Sequence, residues 1–436
     1  MRGFGTPLER VSEVDRTLAE RFGACSRRLE VLLTLSESHA TGSGMSALGS
    51  SARNVFQEQR SVDEAMAQIR RLSEEQEATI DDIRRIPGFE DFLRASPFEF
   101  LQQAASEGPV IVLNHSVFRC DAIIVLAREN DPCVCIRLDR GFYFDVIELH
   151  EELTRIRKNP EVVSKIVQKL KELGINEGSR IWWCPTSVLS AFPFHAAGPY
   201  KGADGSMRYL LDDYISSYTP TLTSLVTARS GAQNGGERML FVGDTSLPAA
   251  KKERDAIIRI RRFKQLLGDR ATPESVLRLL QEAQRTHFTC HGLLKDEPFN
   301  SSLKLSGGRL TLLDIAHANL PHAEFAFLSA CHTAEQGPNF ALDEALHLAA
   351  GMQFCGFRSV VGTMWKLLDR DGPFLAGAVY GYMMRDLEGE ETRFKRVTAA
   401  VREAALRLRE RGDEGPDGRK VEIKSERWVN LVHIGA

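Results

Sequence analysis

The sequence predicts an α/β fold that is preceded by an α-helical region. From residue 109 onward, short and uniformly apolar runs such as PVIVL, AIIVL and CVCIRL alternate with stretches of helical periodicity. Strands that are apolar throughout are typical of sheets covered by helices on both faces. Before residue 97, long charged stretches carry apolar residues at three- and four-residue spacing, which predicts helices.

Composition and charge narrow the class of protein. The chain has 436 residues, 43% of them hydrophobic and 26% charged, which predicts a globular protein of two or three domains. A net charge of −3 gives no basic surface of the kind that nucleic-acid binders carry. The sequence has neither the apolar core of a signal peptide nor a run near the ~18 apolar residues of a membrane span. We therefore expect a cytoplasmic protein that binds neither nucleic acid nor membrane.

The cysteines and histidines give no metal-binding pattern. Eight cysteines are spread along the chain without the density of a disulfide scaffold, so we expect reduced thiols. Cys133 and Cys135 are separated by one residue, whereas a zinc knuckle has about two to four between its ligands. Their segment is instead predicted to be a buried strand. His317, His322 and His347 also lack metal spacing, and we expect neither a metal nor a cofactor.

Changes in composition predict three regions. Residues 1–95 form the helical region, which the Gly/Ser-rich run TGSGMSALGSS interrupts. The polar, Gly-rich run RSGAQNGGER at 229–238 predicts a connector, so that the α/β part divides into residues 96–230 and residues 236–436.

The second α/β segment opens with a strand, a helix and a further capped helix. Met239 to Val242 reads as a strand, and the charged run KKERDAIIRIRRFKQLLG at 251–268 reads as a helix. Thr272 is predicted to cap the next helix, with Pro273 at its first position, where the missing N–H costs nothing.

Two further predicted strands end in residues that suit nucleophilic catalysis. THFTCHG at 286–292 ends in His291 and Gly292, and FAFLSAC at 325–331 ends in Cys331. In open α/β sheets, catalytic groups lie at the carboxyl ends of strands. A cysteine nucleophile reacts as the thiolate and needs a nearby proton acceptor. We therefore predict that Cys331 is a nucleophile and that His291, on a neighbouring strand, is its base.

Strand alternation separates this pair from the neighbouring residues. Successive side chains of a strand point to opposite faces, so His332 is a poor base for Cys331, and Cys290 points away from His291. Glycine at position 292 lets the backbone approach a substrate closely. The N–H groups of Gly292 and Cys331 are predicted to form an oxyanion hole, in which each donor is worth about 100- to 1000-fold in rate.

Several segments of the chain, taken together and in order, resemble a known family. They are IWWCPTSVLSAFPFHAAG, HFTCHG, NSSLKLSGGRLTLLDIAHANLPHAEFAFLSACHTA, EALHLAAGMQFCGFRSVVGTMWKLLD and the closing WVNLVHIGA. They resemble the CHAT domain, a caspase-related cysteine peptidase fold that is also similar to separase. The resemblance covers roughly residues 95–436, and the shared order of several segments makes it far more specific than an isolated HG pair.

The resemblance implies a caspase-like three-layer sandwich with a His/Cys dyad, here His291 and Cys331. It implies a first half, residues 96–230, without a dyad, and an active half, residues 236–436. In that first half, His115 and Cys120 fit one strand and its turn better than two adjacent strand ends. Tetratricopeptide repeats often precede this domain, but the helical region of residues 1–95 is too short for a full array. It is either a remnant of such an array or a plain helical extension, and the resemblance leaves room for an activating protein partner.

A specificity residue is also implied. In GTMWKLLDRD, residues 362–371, the similar separase segment places an acidic residue in the pocket for the substrate's P1 side chain. Asp369 stands at that position, with Trp365 as a wall of the pocket. Such a carboxylate favours Arg or Lys through charge-assisted hydrogen bonds. The residues alone leave alternatives open, namely Asp369 as a helix N-cap or a surface residue and Trp365 as a core residue.

These observations predict a cysteine endopeptidase that cleaves a protein substrate under the control of a partner or signal. Two other functions use the same features. A catalytically silent scaffold would employ the fold as a protein-interaction module, since a fold does not fix a function. An amidase or acyl-transfer enzyme acting on a small substrate would need the same dyad.

Overall fold

The computed structural model of the protein describes residues 7–42, 52–90, 92–116, 118–139, 142, 160–202, 204–230, 238–260, 262–295, 298–318, 320–329, 348–385, 396–414, 420–421 and 424–436. The chain divides into two compact units, Met1–Pro97 and Phe98–Ala436.

The first unit is helical, as the sequence predicts. Its helices are α1 (Pro7–Val14), α2 (Arg16–Gly42) and α3 (Ala52–Arg84). Helices α2 and α3 are antiparallel, because Arg21 bonds the hydroxyl of Thr79 while Ser26, further along α2, bonds the earlier Gln76. A small core of Val11, Ala19, Ile83 and Phe92 holds this unit together.

The second unit is built on one large mixed sheet. Its strands are β1 (Val110–Asn114), β2 (Asp121–Val125), β3 (Cys133–Arg137), β4 (Arg180–Pro185), β5 (Tyr200–Lys201), β6 (Met207–Arg208), β7 (Ile215–Tyr218), β8 (Met239–Gly243), β9 (Lys264–Leu267), β10 (Arg285–Thr289), β11 (His291–Leu293), β12 (Ser302–Leu305), β13 (Gly308–Thr311), β14 (Phe325–Ser329), β15 (Ser359–Thr363), β16 (Asp413–Glu414), β17 (Lys420–Val421) and β18 (Leu431–Gly435). Within the described residues, eleven of them form the main sheet in the order β3-β2-β1-β4-β7-β18-β15-β14-β10-β8-β9. Strands β11, β12 and β13 form a separate small sheet.

The main sheet contains two groups of parallel strands that run in opposite directions, and at one end of it β2 is antiparallel to both β1 and β3. Strands β1, β4, β7 and β18 are parallel to one another, and so are β15, β14, β10, β8 and β9. The two groups meet where β18 pairs antiparallel with β15, with Val361 opposite His433. The strands of residues 96–230 and of residues 236–436 therefore belong to one continuous sheet, in which β1, β4 and β7 point to one edge and β15, β14, β10, β8 and β9 point to the other.

Helices cover both faces of the sheet. They are α4 (Phe98–Gln102), α5 (Pro160–Glu172), α6 (Leu210–Asp213), α7 (Leu222–Ser230), α8 (Pro248–Ile258), α9 (Pro273–Leu280), α10 (Leu312–His317), α11 (Leu348–Phe354), α12 (Gly372–Met383), α13 (Val397–Arg411) and α14 (Ser425–Trp428). On one face, residues such as Phe288 and Leu328 pack with α5, α9, α10 and α11. On the other face, Phe241 and Phe327 pack with α8, α12 and α13. The predicted α/β sandwich of three layers, preceded by helices, is confirmed.

Three predictions made from local sequence patterns can be compared with the structure. The prediction of one helix cap is confirmed, and those for two strand segments are wrong in part. Thr272 caps α9 by accepting the N–H of Ser275 at 3.3 Å, as predicted. The predicted helix at 251–268 ends at Ile258, because Lys264–Leu267 pairs as an edge strand with β8. The segment of Cys133 and Cys135 is a strand, but both cysteines are exposed, since β3 lies at the other edge of the sheet, beside β2 alone.

Candidate functional site

The candidate site lies at one edge of the main sheet, here called the carboxyl edge, where the neighbouring parallel strands β15, β14, β10 and β8 end. His291 follows β10, Asp244 follows β8, and Trp365 and Asp369 follow β15. Adjacent strands lie about 4.8 Å apart, so the topology gathers the residues that follow these strands along one short stretch of the edge.

His291 stands two positions beyond the last paired residue of β10. That residue is Thr289, which lies in register with Ser329, the last residue of β14. His291 is half-buried, and it is the first residue of β11, which pairs with β12. Cys331 and His332 lie outside the described residues. By sequence count, Cys331 stands two positions beyond Ser329, just as His291 stands two beyond Thr289.

Asp244 provides a buried carboxylate beside His291. Its backbone N–H donates to the carbonyl of Thr289 at 2.8 Å, and its side chain accepts the N–H of Ser246 at 2.9 Å and the hydroxyl of Ser306 at 3.3 Å. Burial raises the pKa of Asp244, but these hydrogen bonds and the nearby charge of His291 outweigh it and hold the pKa below its ordinary value. The carboxylate therefore stays ionised. Sequence reasoning passed over Asp244, although it also follows a predicted strand.

Gly292 lies beside His291 in the small sheet. It pairs with Leu303 of β12, and it is half-buried. Cys290 separates β10 from β11 and is buried in the core on the side of α9 and α10. Burial is the main cause that raises the pKa of the Cys290 thiol, which therefore stays protonated and is unsuited to attack.

Trp365 is half-buried and contacts the cores on both faces of the sheet. Its indole N–H donates to the carbonyl of Glu426 at 2.6 Å, and its backbone N–H donates to the side chain of Asn430 at 3.0 Å. These bonds attach the chain after β15 to the C-terminal segment. The residue is thus a packing residue that also lies close to the carboxyl edge.

Asp369 is exposed in the turn before α12. The N-cap position of that helix belongs to Asp371, so the alternative of Asp369 as the cap is wrong. Asp371 is buried and uses its carboxylate to bind the guanidinium of Arg427, with contacts of 2.6 and 2.7 Å. Both carboxylate oxygens of Asp371 are therefore occupied by Arg427, whereas the carboxylate of Asp369 is accessible to a substrate.

His115 and Cys120 are buried in the other half of the sheet. His115 follows β1 and Cys120 precedes β2, and these strands form an antiparallel pair. Burial, the largest influence, raises the pKa of the Cys120 thiol. Because β1 points to the opposite edge, both residues lie far along the strands from the carboxyl edge that carries His291.

One further cavity lies away from the candidate site. A cavity of about 300 Å³ lies at the start of β8, β9 and β10, among Arg238, Arg262 and Lys264, which is the edge opposite His291. Across the ranges that the structure describes, no cluster of three or more His, Cys, Asp or Glu side chains is arranged to hold a metal ion. No helix in the same ranges is long and apolar enough to cross a membrane.

Comparisons with known proteins identify the family. No curated protein matches the chain. The complex of the pro- and mature domains of RgpB from Porphyromonas gingivalis is similar at a TM-score of 0.42 and 8% identity, over 66% of this chain and 70% of that one. The separase of Saccharomyces cerevisiae, in complex with securin, is similar at 0.41 and 12%, over 95% of this chain and 27% of that one. A model of the CHAT domain matches residues 150–436, more than half of the sequence, and the chain therefore belongs to the CHAT domain family.

Proposed function

We propose that the protein is a cysteine endopeptidase in which His291 and Cys331 form the catalytic dyad. The observation that carries this proposal is the parallel register of β10 and β14, which pairs Thr289 with Ser329 two positions before the dyad residues. Strand ends on adjacent parallel strands are where open α/β sheets hold their catalytic groups. The likeness of the sequence to caspase-related CHAT peptidases supports the same assignment.

In the proposed mechanism, His291 takes the proton of the Cys331 thiol, and the thiolate attacks the carbonyl carbon of the scissile peptide bond. The N–H groups of Gly292 and Cys331 bind the oxyanion of the tetrahedral intermediate. His291 then gives its proton to the leaving amine, and a thioester remains on Cys331. Water attacks this thioester, with His291 again accepting the proton. The bond between carbon and the sulfur of Cys331 then breaks, the free acid leaves, and His291 returns the proton to that sulfur.

Asp244 assists the charged stage of this cycle. When His291 carries two protons, an ionised carboxylate nearby stabilises the imidazolium. The hydrogen bonds from Ser246 and Ser306 keep that carboxylate ionised and oriented. We infer that Asp244 acts on the proton transfer through His291 and not on the substrate.

The proposed substrate is a protein segment with Arg or Lys at P1. Asp369 is an exposed carboxylate following β15, next to the strand that leads to Cys331. A basic side chain would satisfy it through charge-assisted hydrogen bonds. Trp365 would contribute its apolar surface to the same pocket. Control by a protein partner is part of the proposal, because CHAT domains are often joined to repeat arrays.

An electrophilic peptide probe with Arg at P1 tests the dyad. We expect it to label Cys331 in the wild-type protein and to fail with His291→Ala and Cys331→Ala, both of which should remain folded. His332→Ala is the matched control, and its labelling should persist, because in a continued strand adjacent side chains would point to opposite faces.

The outcomes separate the alternatives. Absence of labelling in the folded wild-type protein, both alone and in cell extract that would supply a partner, would favour the silent scaffold. Labelling by small acyl electrophiles but by no peptide would favour an amidase. Equal loss with His332→Ala and His291→Ala would refute the assignment of the base.

A further inference from the structure

The buried carboxylate of Glu253, on α8, lies beneath the carboxyl edge of the sheet. It is 1% exposed. One of its oxygens accepts the hydroxyl of Ser329 at 2.8 Å, and the other accepts the hydroxyl of Thr289 at 2.9 Å. The second oxygen also contacts Nε2 of His287 at 3.0 Å. Glu253 therefore joins the ends of two different strands, with one oxygen for each.

The two strand ends are the ones that lead to the proposed dyad. Thr289 is the last residue of β10 and precedes His291 by two positions, and Ser329 is the last residue of β14 and precedes Cys331 by two. Because Thr289 and Ser329 are also register partners, the bridge fixes the strands at the last point where they are paired. His291 and Cys331 each follow only two positions after this point in the sequence.

The surroundings of Glu253 are built to keep it in place. The ring of His287 is stacked between Phe241 and Phe327, with centroid distances of 5.0 and 4.7 Å, and its Nδ1 contacts the hydroxyl of Tyr380 at 3.3 Å. Gly372, the first residue of α12, leaves room for the carboxylate, since a Cβ there would overlap it.

A purely structural role explains this arrangement poorly. Burying a carboxylate costs several kcal/mol per ion, and apolar residues of similar volume in such a position are often as stable or more so. A hydrophobic side chain would hold α8 against the sheet at lower cost. What an apolar side chain lacks is a pair of acceptors that fix two hydroxyls in defined positions.

We propose that Glu253 is a positioning residue that sets the distance between His291 and Cys331 by clamping the ends of β10 and β14 through Thr289 and Ser329. This inference rests on the proposed function. It assigns a catalytic consequence to a residue that touches neither the substrate nor the reacting atoms. The bonds to the two strand ends carry the effect, so removing either hydroxyl partly releases the clamp.

The test measures the inactivation of Ser329→Ala and Thr289→Val by a peptide chloromethyl ketone with Arg at P1. Ser329→Thr and Thr289→Ser keep the hydroxyls and serve as conservative rescues. Ser359→Ala is the matched control, because Ser359 is also a buried strand hydroxyl that bonds a buried histidine, His433, at 2.8 Å, but it lies at the amino end of β15. Each variant is assayed well below its melting temperature.

We expect Ser329→Ala and Thr289→Val to lower the maximal inactivation rate by about 10- to 100-fold, the effect of a misplaced reacting group, with probe affinity nearly unchanged. The pH dependence of Cys331 alkylation by iodoacetamide should also move toward that of a free thiol. The two rescue variants and Ser359→Ala should keep the wild-type rate and pH profile. Glu253→Gln, which retains the size but supplies only one acceptor oxygen, should behave like the two hydroxyl deletions.

Two different failures can be told apart. If the wild-type protein reacts in a His291-dependent manner, while Ser329→Ala and Thr289→Val lose only thermal stability, the clamp is overturned and the proposed function stands. If the wild-type protein itself shows no His291-dependent reaction, the proposed function fails and the positioning role fails with it. A Glu253→Gln protein that does not fold leaves the hydroxyl variants to decide.

Discussion

His195 should make the protein sensitive to mild acid. Its ring is buried between β7 and the C-terminal segment. Nε2 lies 2.9 Å from the carbonyl of Val429 and must donate to it, so in the neutral ring Nδ1 accepts the hydroxyl of Tyr218 at 2.8 Å. Protonation of Nδ1 is unfavourable, because the hydroxyl of Tyr218 already donates to that atom and the buried ring cannot be solvated. The folded protein therefore holds the neutral form.

The size of the effect follows from the pKa. Burial lowers the pKa of His195 from 6.5 to about 4, although the bond to Val429 opposes the change. Above pH 6.5 the ring is neutral in the folded and unfolded chains, and the full stability is present. As the pH falls from 6.5 toward 4, only the unfolded chain gains the proton, so the free energy of unfolding decreases. Between pH 7.5 and pH 5 this linkage removes roughly 2 kcal/mol.

Urea unfolding of the wild-type protein and of His195→Gln, at pH 7.5 and pH 5, measures this contribution. The variant should be less stable at pH 7.5, because glutamine replaces the two ring contacts imperfectly, but it should lose roughly 2 kcal/mol less on acidification. His433 is also buried with a lowered pKa, mainly through desolvation, and contributes equally to both proteins. An identical loss of stability in the two proteins would show that His195 is not the residue that titrates.

Three further substitutions have defined outcomes. Gly435→Ala should lower the free energy of unfolding, measured in urea, by about 1 to 3 kcal/mol. Gly435 has a φ of +107°, and an added Cβ would overlap the carbonyl of Arg358. An unchanged free energy of unfolding would contradict this. Asp371→Ala should cost about 1 to 3 kcal/mol, because the half-buried guanidinium of Arg427 loses its bidentate partner and keeps only Asp413. A loss no larger than that of a surface substitution would refute the pairing. Asp369→Ala should change the free energy of unfolding by less than about 0.5 kcal/mol. It should selectively lower the rate of labelling by peptide probes with Arg at P1. Equal rates with Arg and Leu probes, in both the wild-type protein and the variant, would exclude a P1 role.

The sequence was sufficient for features that depend on local patterns. The apolar runs predicted β8 and β14, because strands buried on both faces have no polar side. The Thr272 cap was predictable because it needs only its own side chain and an N–H three residues later. The proposed site residue His291 was found because the carboxyl end of a strand is visible in the sequence as the point where an apolar run stops.

Other features required the tertiary structure. Apolar periodicity tells which side chains are buried but not which strands pair, so the sequence did not reveal that β3 and β9 lie at the edges of the sheet. It also gave no sign that β18, at the end of the chain, joins the two halves of the sheet and reverses its direction.

Glu253 shows this division most clearly. In the sequence it stands in the run KKERD, whose residues are all charged, as is typical of a solvated helix face. Its partners Thr289 and Ser329 lie 36 and 76 positions away. No local pattern marks such contacts, because a hydrogen bond between distant segments depends on the packing of a helix against two strands. The sequence by itself determined the strands and the reactive residue types at their ends, while only the packing of α8 against β10 and β14 decided that a carboxylate joins them.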